Sequence, residues 1–103
     1  MTQFEITTIE RDRYRLSGEL DMASAPALAE ALGPIADECR RLTLEVEDLT
    51  FVDSSGIRAL VELSARLDGS GPLVLTNVSD ALHRLLDIVG LDTLPNIQVS
   101  SDV

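Results

Sequence analysis

The sequence predicts an α/β fold, in which a mixed sheet of four to five strands carries about three helices, mainly on one face. Two patterns predict it. The first two segments alternate polar and apolar residues, which is typical of strands with one buried face. Farther along, apolar residues spaced by three and four alternate with short strand-like runs, which is the pattern of helices that connect neighbouring strands. The predicted order is ββαβαβα(β), with parallel strands joined by right-handed crossovers.

The first two strands are predicted at residues 3–7 and 13–17, where polar and apolar side chains alternate. Between them lies the short polar stretch Glu10-Arg11-Asp12. A connection this short joins antiparallel neighbours, so the two segments are expected to form a hairpin.

The first helix is predicted from Ser24 to Cys39. Ser24 is a suitable N-cap, and Pro26 is tolerated in a first helical turn. Gly33-Pro34 conflicts with a continuous helix, because an interior proline removes a hydrogen bond and clashes one turn back. We therefore expect a kink there, or two short helices. The apolar face consists of Leu28, Leu32, Ile35, Ala36 and the small core thiol of Cys39.

A third strand is predicted at residues 42–46, where apolar residues again alternate, and a second helix at residues 57–67. The helix has its apolar residues on one side. The other side carries charges at i, i+4 and i+8, namely Arg58, Glu62 and Arg66.

The last part of the chain predicts a turn, two strands and a helix. Residues 69–72 have turn composition, and the wholly apolar residues 73–75 that follow are typical of a central strand. Ser79 is expected to cap a third helix, which Gly90 ends. Residues 97–99 predict a last short strand.

Length and composition restrict the function classes. The chain has 103 residues, which predicts one domain spanning 1–103. Its formal charge is −10 and its eight basic residues are all arginine, so binding to nucleic acid or an anionic membrane is disfavoured. One cysteine and one histidine, Cys39 and His83, do not make a closed zinc site, and no metal or cofactor is expected. The lack of a signal peptide or a membrane-spanning run predicts a cytoplasmic protein.

The block Asp53-Ser54-Ser55-Gly56 leads from a strand into a helix, where ligands and chemistry collect in open α/β sheets. Any of the first three residues is a suitable N-cap. A phosphorylated serine is also favoured here, because free backbone N–H groups and the helix dipole stabilise an anion. Arg58 lies one turn after Ser54, which allows it to pair with a phosphate. The spacing alone does not choose between Ser54 and Ser55.

Two enzyme-like alternatives fit less well. A hydrolase nucleophile elbow has the pattern Gly-x-Ser-x-Gly, but Val52 stands where the leading glycine belongs. The histidine, His83, falls on the polar side of the third predicted helix, as a surface residue. A phosphoaspartate receiver domain needs a lysine, and the chain has none.

Two blocks of sequence, taken together, resemble the STAS domain family. They are Gly18-Glu19-Leu20-Asp21 at the end of the second strand and Asp53-Ser54-Ser55-Gly56 after the third. Residues 85–91 are similar to the last helix of the family. The resemblance covers nearly the whole chain. Within the family, the chain resembles the bacterial anti-sigma factor antagonists more specifically.

The resemblance implies a fold and a regulatory mechanism. It implies that the serine directly after the aspartate, Ser54, is phosphorylated by a partner anti-sigma factor that is itself a serine kinase using Mg-ATP. A separate phosphoserine phosphatase removes the group, and the unphosphorylated antagonist binds the anti-sigma factor and frees a sigma factor for transcription. The chain would then be a signalling protein and not an enzyme. The residues expected beside the phosphorylation and partner-binding site are Asp21, Asp53, Ser55, Gly56 and Arg58.

A second interpretation keeps the STAS fold without the switch. Such domains also occur in stress-signalling assemblies, in anion transporters and as accessory subunits of lipid transporters, and Ser54 would there be only a helix cap. Removal of the serine hydroxyl distinguishes the two interpretations. In the first it should abolish regulation, and in the second it costs only about 1 kcal/mol of helix stability.

Overall fold

A computed structural model describes residues 4–67, 72–90 and 96–100 of the chain. One sheet contains the five strands of this part in the order β1-β2-β3-β4-β5. β1 is antiparallel to β2, and each later neighbouring pair is parallel. The elements in chain order are β1 Glu5–Glu10, β2 Arg13–Leu20, α1 Ala25–Asp37, β3 Leu42–Val52, α2 Ser54–Ala65, β4 Leu73–Thr76, α3 Asp80–Val89 and β5 Ile97–Ser100. The predicted order and the optional last strand are confirmed.

All three helices cover the same face of the sheet. Strands β2 to β5 follow one another in space in chain order, so three right-handed crossovers all pass over one face. The burial of β2 agrees, since Tyr14, Leu16 and Leu20 are buried while Arg13 and Arg15, on the other face, are not. The prediction of helices on one face is therefore confirmed, and among the described residues no helix covers the other face.

The core lies between this covered face and the helices. Its fully buried large side chains are mostly leucine, and each contributes about 2 kcal/mol through removal from water. The leucines buried to less than 2% exposure are Leu16, Leu20, Leu28, Leu32, Leu42, Leu44, Leu60, Leu73, Leu75 and Leu86. Cys39 is half-buried and packs against the edge of this cluster.

On the face of β2 and β3 that the helices leave uncovered, Glu45 lies between two arginines. Arg13 Nη1 donates to Glu45 Oε2 at 2.9 Å, and Arg15 Nη2 lies 3.2 Å from Oε1. The hydrogen bond from Arg13, with a further contribution from Arg15, holds the pKa of the Glu45 carboxyl below its ordinary value. Glu45 therefore stays ionised between the two arginines.

Helix α1 is one continuous helix through Pro34, so the expectation of two short helices is wrong. Pro34 is exposed, and packing of the opposite side of the helix outweighs the lost hydrogen bond. The buried residues on that side are Leu28, Leu32, Gly33 and Ala36. Tertiary contacts thus decide whether α1 is continuous, which the local sequence alone does not determine.

Gly33 gives space to an arginine of the neighbouring helix. A side chain at this position would overlap the guanidinium of Arg66, which follows α2. Arg66 Nε and Nη2 donate to the two carboxylate oxygens of Asp37, at 3.0 and 2.7 Å. The hydrogen bond lowers the pKa of Asp37 and raises the pKa of Arg66. This exposed ion pair joins the ends of α1 and α2.

The predicted helix ends after β4 are confirmed. Ser79 Oγ accepts from Leu82 N at 3.1 Å as the N-cap of α3, and Gly90 ends that helix with a φ of 86°. His83 is exposed and lies 3.5 Å from Asp87, as expected for a surface histidine. The predicted turn at residues 69–72 falls outside the described residues except for Pro72.

Candidate functional site

The candidate site lies where β2 and β3 end side by side. Leu20 of β2 pairs with Val52 of β3, and the Asp53 N–H donates to the Leu20 carbonyl at 3.3 Å. Asp21 and Asp53 therefore leave the sheet at the same carboxyl edge, on neighbouring strands. The two sequence blocks singled out above are adjacent because of this pairing, although about 30 residues separate them in the chain.

Asp53 is the N-cap of α2. Its backbone is extended, with φ −109° and ψ −173°, and its Oδ1 accepts from Gly56 N at 3.0 Å. Helix α2 begins at Ser54, three residues before the predicted start. The interpretation in which Ser54 serves as the helix cap is therefore wrong, because the preceding carboxylate already fills that position.

Gly56 allows the start of α2 to lie against β2. A Cβ added to Gly56 would lie 2.5 Å from the Leu20 carbonyl oxygen and 2.9 Å from Leu20 Cγ. The oxygen belongs to the backbone of a core strand and cannot move aside. The glycine thus fixes the helix start close to the sheet, and with it the position of the two serines.

Ser54 and Ser55 differ in accessibility. Ser54 is exposed at the first position of the helix, whereas Ser55 is half-buried. Ser55 borders a shallow groove between α1 and α2, of about 270 Å³, together with Met22, Ala59 and Arg58. We call it the α1–α2 groove. Of the two serines, Ser54 is therefore the one that is exposed to solvent.

Asp21 organises the loop that precedes α1. Its Oδ1 accepts from the backbone N–H groups of Ala23 and Ser24, at 3.0 and 3.1 Å. Ser24 takes the N-cap position, as predicted, but its side chain makes no cap hydrogen bond. The Ser24 hydroxyl instead donates to the Glu19 carbonyl at 2.7 Å, which holds the loop against the end of β2.

Arg58 lies one helical turn after Ser54 and is largely exposed. Its Nε lies 3.5 Å from Glu62 Oε2, an i, i+4 pair whose side chains are 81% and 67% exposed. A pair this exposed contributes little to stability, so the guanidinium is available for other anions. Its position on the helix is the one that the sequence predicted for a phosphate partner.

Sequence reasoning missed three exposed apolar side chains around the site. Met22 is 76% exposed, Phe51 50% and Ile88 80%. Met22 borders the α1–α2 groove, while Phe51 and Ile88 border a second, larger groove of about 400 Å³ between the end of β3 and α3. We call this the β3–α3 groove. Exposed apolar side chains grouped beside a groove are typical of interaction surfaces, but no sequence pattern distinguishes these three from core positions.

The edge is also acidic. Glu47 and Asp48 are exposed on the last part of β3, and Glu19, Asp21 and Asp53 are half-exposed nearby. In the described part of the chain, no group of three metal-ligating side chains is arranged to hold an ion. No helix there is long and apolar enough to span a membrane.

The STAS domain family model matches residues 3–103, almost the whole chain. The chain belongs to the STAS domain family. A relative from Bacillus subtilis (strain 168), named anti-sigma-B factor antagonist, is 35% identical over 91 residues, which are 87% of this chain and 84% of the relative. The Staphylococcus aureus (strain NCTC 8325 / PS 47) protein of the same name is 31% identical over 103 residues, 95% of each chain.

Solved structures of STAS proteins share the fold. An anti-sigma factor antagonist from Mycobacterium paratuberculosis superposes with a TM-score of 0.79 at 21% identity, over 100% of this chain and 88% of its own. The antagonist SpoIIAA in its unphosphorylated form has a TM-score of 0.71 at 17% identity, over 98% and 90% of the two chains. Its phosphorylated form from Bacillus has a TM-score of 0.65 at 20% identity, over 97% and 93%. These likenesses confirm the predicted STAS architecture.

Proposed function

We propose that this protein is an anti-sigma factor antagonist whose binding is switched off by phosphorylation of Ser54. The observation that carries the proposal is the exposed Ser54 hydroxyl at the start of α2, beside an N-cap that Asp53 already supplies. The names of the curated relatives support the class of function. Ser54 is thus a residue whose modification leaves the helix capped.

Accessibility supports Ser54 over Ser55 as the acceptor. A kinase must enclose the acceptor hydroxyl together with the terminal phosphate of its nucleotide. Ser54 is exposed, whereas Ser55 is half-buried against the α1–α2 groove and would require a local opening of the helix start. Gly56, packed against the Leu20 carbonyl, opposes such an opening.

The same position stabilises the phosphorylated state locally. A phosphoserine carries about −1.5 to −2 charges at neutral pH. At the first residue of α2 it faces free backbone N–H groups and the positive end of the helix dipole. Arg58, one turn later, is available to pair with it. The modification therefore leaves the fold intact and changes the surface.

The change in charge acts on the partner. To change binding from nearly complete to nearly absent, the binding free energies of the unphosphorylated and phosphorylated chains must differ by about 5.5 kcal/mol. One phosphate charge that faces one carboxylate at 4 Å supplies about 1–4 kcal/mol, depending on the surface dielectric. The remainder comes from desolvation of the dianion or from steric overlap in the interface. The α1–α2 groove, with exposed Met22 at its border, is the neighbouring surface on which the partner would pack.

On this proposal the partner is an anti-sigma factor with serine kinase activity, which brings Mg-ATP, and a phosphatase reverses the reaction. The chain itself acts by binding and not as an enzyme, in the cytoplasm where sigma factors act. Asp21 positions the loop beside the serine, and Asp53 and Gly56 hold the helix start.

The test combines mapping of the modification with binding. The chain is recovered from its native host, its phosphate is located by peptide mass spectrometry, and proteins bound to it are identified. We expect one phosphoryl group on Ser54 and a bound protein with a kinase fold that also binds a sigma factor. Ser54→Ala should keep binding and resist phosphorylation, and Ser54→Asp should bind more weakly, though less so than the phosphoprotein.

Ser55→Ala is the matched control, because it removes the neighbouring hydroxyl and should leave the switch intact. Equal partner affinity for Ser54→Ala, Ser54→Asp and the phosphoprotein would refute the switch. A phosphate on Ser55 would keep the switch and overturn the choice of residue.

A further inference from the structure

Strand β3 is much longer than its neighbour β4. It runs from Leu42 to Val52, whereas β4 has only four residues, which pair with Leu42–Glu45. Asn77, directly after β4, has a φ of 59° and so ends the strand by turning the chain away. In the described part of the chain, no strand pairs with the β4 side of residues 46–52. This leaves a free strand edge of roughly 20 Å.

The free edge lies in a groove. Helix α3 flanks it, and the β3–α3 groove is lined by the end of β3 from one side and by apolar residues of α3 from the other. Leu82 is buried at its base, Leu85 is half-buried, and Phe51 and Ile88 are exposed at its border. Unpaired backbone groups beside an apolar groove and a helix form the arrangement that captures an extended peptide as an added strand.

The charges beside the groove indicate which peptide it would accept. Glu47 and Asp48 are exposed on β3, and Asp80 is exposed at the start of α3, against one positive charge from Arg84. A second copy of this chain carries the same acidic edge and a net charge of −10, so it would be repelled. A segment with apolar residues at alternate positions and basic residues between them is complementary.

We propose that the free edge of β3 and the β3–α3 groove bind an extended segment of a partner protein, with alternating apolar and basic residues, as an added strand. Its backbone pairs with residues 46–52, its apolar side chains pack between Phe51 and Ile88, and its basic side chains face Glu47 and Asp48. This site is separate from the α1–α2 groove and does not require phosphorylation of Ser54.

The experiment uses the full chain labelled for NMR and a short synthetic peptide in which valine and leucine alternate with arginine and lysine. We expect peptide binding to shift and protect the amides of residues 46–52, with peptide–β3 backbone contacts. The same peptide with its two central residues replaced by proline should bind at least about tenfold more weakly, because it cannot complete the hydrogen-bond ladder.

Two variants locate the site. Ile88→Arg places a charge at an 80% exposed position, so it leaves the fold intact and should weaken peptide binding at least about tenfold. Ile9→Arg, at an exposed position on β1, is the matched control and should bind as the unaltered chain does.

Four outcomes would overturn the proposal. The first is equal binding of the proline peptide, and the second is chemical-shift changes that map outside β3 and α3. The third is no binding at about 1 mM peptide, a concentration that corresponds to the weakest affinity that still signifies recognition. The fourth is protection of the amides of residues 46–52 before peptide is added. The last would mean that another part of the chain, or a second copy, already occupies the edge.

Discussion

The two ends of α2 are held in different ways. At its start, Gly56 packs against a backbone oxygen of β2, and Asp53 caps the helix within the same turn. Just after its end, Arg66 lies over Gly33 and pairs with Asp37, both partners being about half exposed. Both glycines leave no room for a side chain, but only the first faces an atom that cannot move. The difference indicates that the serine-bearing end is rigid, whereas the distal end is adjustable.

The largest effect is expected from Gly56→Ala. Its Cβ would lie 2.5 Å from the Leu20 carbonyl oxygen, so the helix start must move away from β2. We expect a loss of about 2–4 kcal/mol in the free energy of unfolding, measured by urea denaturation. Gly33→Ala is the matched control, and it should change stability by less than about 1 kcal/mol, because a flexible arginine moves aside and alanine favours the helix. Equal losses for the two variants would mean that the two ends are equally constrained.

Removal of the cap should have an intermediate effect. Asp53→Ala removes the acceptor for the Gly56 N–H, and we expect a loss of about 1 kcal/mol in the same denaturation experiment. Ser54→Ala should stay within about 0.5 kcal/mol of the unaltered chain, because its hydroxyl is exposed and does not cap. A larger loss for Ser54→Ala than for Asp53→Ala would restore the serine as the structural cap.

The smallest effect is expected at the distal end. The hydrogen bond from Arg66 holds the pKa of Asp37 below its ordinary value of 3.8, so the pair stabilises the fold above that pH. This stabilisation is lost as the pH falls through the lowered pKa of the folded state. The melting temperature of Asp37→Asn should therefore fall less steeply in that acidic range than that of the unaltered chain. Identical pH profiles would show that the exposed pair contributes nothing measurable.

Much of the fold was predictable because its signals are local. The alternation in β2 and the apolar spacing in α1 and α2 each depend on residues close in the chain, and the structure places them as expected. The continuity of α1 through Pro34 was not predictable, because it depends on tertiary packing of the opposite face. The length of β3 was underestimated for another reason. Two register shifts against β2 interrupt its alternation, so residues 47–52 do not have a strand pattern.

The residues of the candidate site were predictable from the sequence, but the role of each residue was not. Three consecutive residues suited to an N-cap do not reveal which of them takes the position, and only the backbone at Asp53 decides it. The exposure of Phe51 and Ile88 likewise depends on where α3 lies beside β3. Other apolar side chains, all leucine or valine, are buried in the same two elements, so the sequence alone does not separate surface from core.

The hydrogen bond between Asp53 and Leu20 determines when, during folding, the start of α2 takes its final position. It joins segments about 30 residues apart, and contacts of such sequence separation form only after the intervening loop has closed. The arrangement that holds the start of α2, and with it Ser54, against the end of β2 therefore forms only once the chain has folded. A kinase that recognises this surface would modify only correctly folded molecules, so the signal would report the number of functional copies and not the number synthesised.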